Sequence, residues 1–414
     1  MKFSIALFCS GFLAIVMAVT ACSETSPAPQ QKVTVGAEVL LRDHLEELEG
    51  RKVGLVMNPT ARIAGTHVLD TLLSENVNIQ ALYAPEHGFR GDYGAGEQIT
   101  DGIDQESGLP VFSLYGKTRK PTPEMLEHVD LLIFDMQDVG ARFYTYISTM
   151  GLILEAAAEN DVEVWILDRP NPAGGDYVSG WVLEPEHASF VGSFPIPVAH
   201  GMTLGEMATM AVSEGWLDTE KEVNYRVIAS ENLTRSMIWP DTGLEWVAPS
   251  PNLPTFQHSI VYLGTCFFEG TSLSEGRGTD DPFLNIGSPT LQIDQEHLTS
   301  LGDRYGAKLT AIDFMTKSIP GVAPRPKHQD SKSYGAKITL SNYRDFDPVA
   351  FGVEMLRDFL NADSASETKS YLYLLAGTER IDEYLNSDDP ESPNVLWKEE
   401  VEAFKQQREP YLLY

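Results

Sequence analysis

Residues 84–91 read Ala-Pro-Glu-His-Gly-Phe-Arg-Gly, an acid beside an imidazole in a loop rich in turn residues. Glu86 and His87 are both general acid/base groups, and Arg90, Asp92 and Glu97 follow at short spacing. A solvated loop with incidental charges is the plain alternative for any such pair taken alone. The design recurs, however. Asp135 is followed by Asp138 and Arg142, Asp168 by Arg169 and Asn171, and Glu269 by Glu275 and Arg277 in a glycine-rich stretch. Carboxylates mixed with arginines, tyrosines and tryptophans in loops fit carbohydrate chemistry. A carboxylic acid protonates a glycosidic oxygen, a second group stabilises the oxocarbenium-like transition state, and aromatic faces hold the sugar. Arginine adds bidentate recognition where the sugar carries an acid.

The elements around these loops predict how they meet. Lys52–Met57, Val77–Tyr83, Leu131–Asp135 and Val162–Leu167 are apolar runs of strand length, and helical periodicity covers His67–Ser74 and Phe143–Glu159. Alternation of this kind predicts an α/β fold with a mostly parallel sheet covered on both faces. The Glu86, Asp135 and Asp168 loops each follow one of these strands, so all three are expected at one carboxyl edge and in one cleft. After Tyr177 the texture changes. Trp181–Pro197 is rich in proline and aromatics and leads to His200, and Thr203 opens a helix as a good N-cap. Val223–Ala229 reads as a strand and Trp246–Pro254, which contains Asn252, as extended chain. Lys308–Met315, Lys337–Ser341 and a helix over Pro348–Leu360 suggest a smaller α/β or α+β domain, with residues 388–408 as a closing helical region. The expected division is 35–200 and 201–414.

The chain has 414 residues and a formal net charge of −30, which argues against nucleic acid or an anionic lipid surface as a partner. Lys2 precedes an apolar run, Phe3–Val19, that ends in Val19-Thr-Ala-Cys22. Residues 1–21 are therefore expected to be an export signal, Cys22 the lipidated first residue, and 22–34 a polar tether. Ser23 in place of aspartate favours the outer membrane, facing the periplasm. Cys266, alone in a mature chain, reads as a buried thiol. No Gly-x-Gly-x-x-Gly follows a strand and no phosphate loop is present, so no nucleotide is expected. His87, His200 and an aspartate lack regular metal-ligand spacing, and neither metal nor cofactor is predicted.

Four stretches together, Glu86-His-Gly-Phe-Arg-Gly, Asp135-Met-Gln-Asp-Val-Gly-Ala-Arg-Phe-Tyr-Thr-Tyr146, Asp168-Arg-Pro-Asn-Pro and Glu269-Gly-Thr-Ser-Leu-Ser-Glu-Gly-Arg-Gly-Thr279, resemble the exo-β-N-acetylmuramidase family. The resemblance extends from about Val35 to Tyr414. It implies a Rossmann-like domain, a smaller C-terminal domain, a cleft between them, and release of N-acetylmuramic acid from the non-reducing end of peptidoglycan fragments. By motif, Glu86 is the expected general acid/base, with Glu269 and then Asp138 as the second carboxylate. His87 is expected to orient Glu86 or contact substrate, and Arg142 and Arg277 to bind the lactyl carboxylate. Asp168, Asn171, His200 and Asn252 are the remaining candidates for sugar contacts. Two other readings stay open on sequence: a metal-assisted amidase or deacetylase, which a chelator would silence, and a wall-binding lipoprotein without turnover.

Overall fold

The computed structural model describes residues 31–90, 101–387 and 390–414. The expected leader, Cys22, most of the tether, Asp92 and Glu97 lie outside the described residues. Among those described, no helix is long and apolar enough to cross a membrane.

Six parallel strands form the main sheet: β1 (Val53–Met57), β2 (Ile79–Ala84), β3 (Pro110–Ser113), β4 (Leu131–Asp135), β5 (Glu163–Leu167) and β6 (Tyr225–Ile228). Their spatial order is β3-β2-β1-β4-β5-β6, and the short strand Gly102–Ile103 closes the β3 edge antiparallel. This is the order of dinucleotide-binding folds, reached here without their glycine signature. Alternation along β1 sends Leu55 and Met57 into one apolar layer and Val56 into the other. Both faces are thus covered, which is why these strands read as unbroken apolar runs. Helices α1 (Val68–Ser74), α2 (Tyr146–Glu159) and α3 (Leu204–Ser213) supply the covering, and Thr203 caps α3 in a capping box with Glu206.

Strand β6 pairs with β5 over Tyr225–Ile228, so the sheet draws on chain beyond the boundary expected near residue 200. The C-terminal part holds a three-stranded antiparallel sheet in the order β7 (Asn285–Ser288), β9 (Lys332–Thr339), β8 (Lys308–Met315). β9 starts five residues before the predicted Lys337, because Lys332–Lys337 pair residue for residue with Met315–Thr310 despite a polar, glycine-containing sequence. Two helices, α4 (Phe256–Thr265) and α5 (Gln295–Tyr305), are not among the expected elements, whereas α6 (Pro348–Ala362) falls where predicted. α4 and α6 cross at Gly264 and Gly352. A Cβ on Gly264 would lie 1.9 Å from the Pro348 carbonyl oxygen, so only glycine allows this approach. Residues 32–414 form one compact unit, and the chain end returns to the first sheet. There Tyr414 Oη donates to Asp168 Oδ2 at 2.7 Å and accepts from Ser230 N–H at 2.8 Å.

Candidate active site

Pro85 ends β2, and Gly88 N–H closes a turn onto the Pro85 carbonyl at 3.0 Å. His87 sits in the turn at φ 72°, a left-handed conformation that a non-glycine residue keeps only under constraint. The turn presents Glu86, half-buried, to a cleft of about 1150 Å³. Thr145 precedes α2 but its hydroxyl makes no capping bond; it donates instead to Glu86 Oε2 at 2.8 Å. The Tyr115 phenol, just beyond β3, lines the same cleft, and its pKa is pushed up by burial and by the Glu86 carboxylate. Loops at the carboxyl ends of β2, β3 and β4 therefore build one wall of the cleft.

Much of the remaining lining comes from the C-terminal part. A single 3₁₀ turn, Cys266–Gly270, follows α4 and carries Glu269 to the cleft. Arg277 Nη2 lies 2.6 Å from Glu269 Oε1 and its Nε 3.8 Å from Glu275 Oε1, while its guanidinium rests 4.9 Å from the Phe283 ring centre. Lys327 Nζ is bonded to Glu275 at 2.9 Å and donates to the Phe268 and Leu273 carbonyls at 2.7 and 2.9 Å. Burial raises the Glu275 pKa, but Lys327 and Arg277 outweigh it and hold the carboxyl below its usual range. Tyr262, Tyr371 and Phe190 complete an aromatic lining.

Glu86, His87, Glu269 and Arg277 thus share the cleft. The other sequence candidates do not line it, and each is held by the fold. Asp138 accepts Gly140 N–H at 2.7 Å and lies 3.5 Å from His200 Nε2. His200, fully buried, accepts Met202 N–H through Nδ1. Asn171 donates to the Met202 carbonyl at 3.0 Å and accepts Ala173 N–H. Asn252 donates to the Val322 carbonyl at 2.8 Å, fixing a cleft-wall segment from behind. Arg142 is buried and bonded to three backbone carbonyls. Arg277 keeps its place in the cleft, but its charge is already paired with Glu269. The expected meeting of three acid loops is therefore partial: Asp135 is buried in an ion pair with Arg169, which ties the second loop to the third. Among the described residues, no group of three or more His, Cys, Asp or Glu side chains could hold a metal ion. Cys266 is buried and its thiol pKa raised by that burial, as expected of a core thiol.

Asp168 shows what such an acid does instead. It accepts from Thr203 Oγ1 (2.6 Å), Gly205 N–H (2.9 Å) and Tyr414 Oη (2.7 Å), joining β5, the start of α3 and the chain end. Complete burial nevertheless pushes its pKa from 3.8 up to about 6. Because the folded value lies above the unfolded one, the proton-linked stabilisation is full below about pH 4 and is lost as pH rises through about 6. It amounts to about 3 kcal/mol. Urea unfolding of wild type and Asp168→Asn between pH 4 and 7 should show the wild type losing ground against the variant by up to this amount. A constant difference across that range would remove Asp168 as the titrating group.

Two family models match most of the chain: exo-β-N-acetylmuramidase NamZ, N-terminal, over residues 53–257, and the corresponding C-terminal model over 260–414. The chain belongs to the NamZ family. It is 39% identical over 400 residues to the peptidoglycan β-N-acetylmuramidase NamZ of Bacillus subtilis (strain 168), covering 95% of this chain and 94% of that one. Two crystal structures of DUF1343 family proteins from Bacteroides fragilis NCTC 9343 are also similar. One aligns with TM-score 0.79 at 31% identity over 94% of this chain and all of that one. The other gives 0.77 at 34% identity over 93% and 99%. The two NamZ models meet between 257 and 260, at the start of α4, so Glu86 comes from the N-terminal NamZ segment and Glu269 from the C-terminal one. The resemblance drawn from the four motifs is thus confirmed. Thr145 stood inside one of them without a role. Tyr115, Phe190, Tyr262, Tyr371 and Arg325 are isolated residues with no pattern around them, and only folding brings them to the cleft.

Proposed function

We propose that the chain is an exo-acting glycosidase that releases N-acetylmuramic acid from the non-reducing end of peptidoglycan fragments, in cell-wall turnover or recycling. The observation that carries this reading is that Glu86 and Glu269 line one aromatic-lined cleft. In this mechanism Glu86, positioned by the Thr145 hydroxyl, protonates the glycosidic oxygen. Glu269, held by Arg277, supplies the second carboxylate that the oxocarbenium-like transition state needs. Tyrosine and phenylalanine faces stack on the sugar and exclude water. Export and lipidation at Cys22 would place the enzyme at the outer membrane, facing the periplasm where its substrate lies.

The test is release of chromophore from an aryl β-N-acetylmuramide and the matching β-N-acetylglucosaminide, with and without chelator. Chelator-resistant turnover of the muramide is expected, and in cells the activity should sediment with membranes and become soluble in Cys22→Ser. Turnover abolished by chelator would favour the metal-assisted reading. Intact protein that binds the sugar and releases nothing would favour a binding protein.

A further inference from the structure

An anionic sugar entering this cleft meets three carboxylates, Glu86, Glu269 and Glu275, in a protein of net charge −30. Four cationic side chains line the same space: Arg119, Arg277, Arg325 and Lys327. Two of them are committed. Arg277 is paired with Glu269 and Glu275, and Lys327 with Glu275 and two carbonyls. Arg119 lies 4.3 Å from the Phe190 ring centre, at the border between this cleft and a neighbouring hollow of about 600 Å³ that also holds Lys117 and Lys120. Arg325 lines the cleft alone and makes no hydrogen bond or ion pair among the described residues.

The backbone that carries Arg325 is nevertheless firmly held. Pro324 and Pro326 flank it, restricting the chain on both sides. Upstream, Asn252 holds the Val322 carbonyl at 2.8 Å, and Ala323 N–H donates to the Ile319 carbonyl at 2.8 Å. Ser318 Oγ donates to the Pro324 carbonyl at 2.8 Å, and downstream Lys327 is anchored through its ammonium. The backbone is thus fixed beforehand, and on binding only the rotamers of the exposed, uncommitted guanidinium side chain remain to be ordered.

We infer that Arg325 is the residue that binds the carboxylate of the substrate's terminal sugar, the lactyl group that distinguishes N-acetylmuramic acid from N-acetylglucosamine. This rests on the proposed muramidase reading and replaces Arg142 and Arg277 in the role. The planar guanidinium forms two parallel hydrogen bonds to a carboxylate, a geometry that lysine lacks. Asn252 acts at one remove, as a positioning residue for the wall.

The experiment compares kcat/KM for an aryl β-N-acetylmuramide and for its uncharged lactyl amide, in wild type, Arg325→Ala, Arg325→Lys and Arg119→Ala. The acid-to-amide ratio should fall ~10–100-fold in Arg325→Ala, as expected for a lost charge-assisted hydrogen bond. The fall should lie mainly in KM and be smaller in Arg325→Lys. Equal losses on acid and amide would make Arg325 merely structural, and a larger ratio change in Arg119→Ala would move the role to that residue. Either result overturns the assignment while leaving muramide hydrolysis intact. Wild type that releases nothing from the acid would instead sink the parent reading. As a measurement independent of turnover, Glu86→Gln should bind free N-acetylmuramic acid in calorimetry, and Glu86→Gln/Arg325→Ala should bind it ~10–100-fold more weakly.

Discussion

Glu86→Gln is expected to lower kcat on an aryl β-N-acetylmuramide by ~10²–10⁴-fold, the usual consequence of removing a general acid. The substitution keeps the shape of the side chain and an oxygen that accepts the Thr145 hydroxyl, which lies 2.8 Å from Oε2. The fold around the cleft is therefore retained and the loss is chemical. What glutamine lacks is a proton to give to the leaving oxygen. The defect should then depend on the leaving group: a dinitrophenyl glycoside, which departs without protonation, recovers much of the rate in Glu86→Gln. Glu269→Gln should behave differently. In the proposed mechanism its carboxylate serves the sugar, and it also balances Arg277 at 2.6 Å, so its loss leaves a nearly buried guanidinium with only Glu275 at 3.8 Å. Acceleration by a better leaving group does not repair that, and both glycosides should stay slow. A Glu86→Gln enzyme within tenfold of wild type on both would transfer the acid role to Glu269.

The contrast between these acids and the ones the fold consumes explains what was legible before folding. β1, β4 and β5 could be read directly, because strands buried on both faces leave unbroken apolar runs ended by polar turns. Glu86 could be read for a related reason: an acid beside a histidine, between a proline and a glycine, directly follows an apolar strand-like run. Asp138, Asp168 and Asn171 use the same residue types at equivalent strand ends, yet their oxygens receive Gly140, Gly205 and Ala173 N–H groups. In sequence, an acid that caps backbone and an acid that faces a ligand look alike, since both need a short polar side chain in a loop. The distinction depends on which N–H groups the fold leaves nearby. Arg325 illustrates the opposite case. Its neighbours Pro324 and Pro326 suggest only a stiff loop, and its value as a cation appears once Arg277 and Lys327 are seen to be paired.

Arg142→Ala should unfold ~3–5 kcal/mol more easily than wild type, the order expected when several buried carbonyls lose a charged donor at once. Arg142 is 1% exposed, and among the described residues it forms no ion pair, Glu400 acting on it only at longer range. Nη1 donates to the Trp181 and Ile196 carbonyls at 2.7 and 2.8 Å, and Nη2 to the Leu375 carbonyl at 2.9 Å. One side chain thus ties the loop after β4 to the ribbon of Ser179–Val182 and Pro197–Ala199, and both to the C-terminal helix Tyr371–Ala376. Burial pushes its pKa down to about 9, which still leaves it charged at neutral pH. The space is shaped to it as well: a Cβ on Gly377 would lie 2.5 Å from Nη2. Alanine takes a donor from three buried carbonyls, of which Ile196 keeps the Leu183 N–H at 3.2 Å; each carbonyl left unsatisfied costs ~1–3 kcal/mol, offset in part by the relieved cost of burying the charge. Arg142→Lys should recover little of the loss, because an ammonium cannot reproduce the guanidinium fork. In thermal unfolding the alanine variant should melt roughly 5 °C lower, given the entropy of a chain this long. If its melting point instead matched wild type while KM rose for the acid and not for the amide, Arg142 would regain the carboxylate-binding role. Its three backbone partners predict the opposite pattern, a large loss of stability with no selectivity between the two substrates.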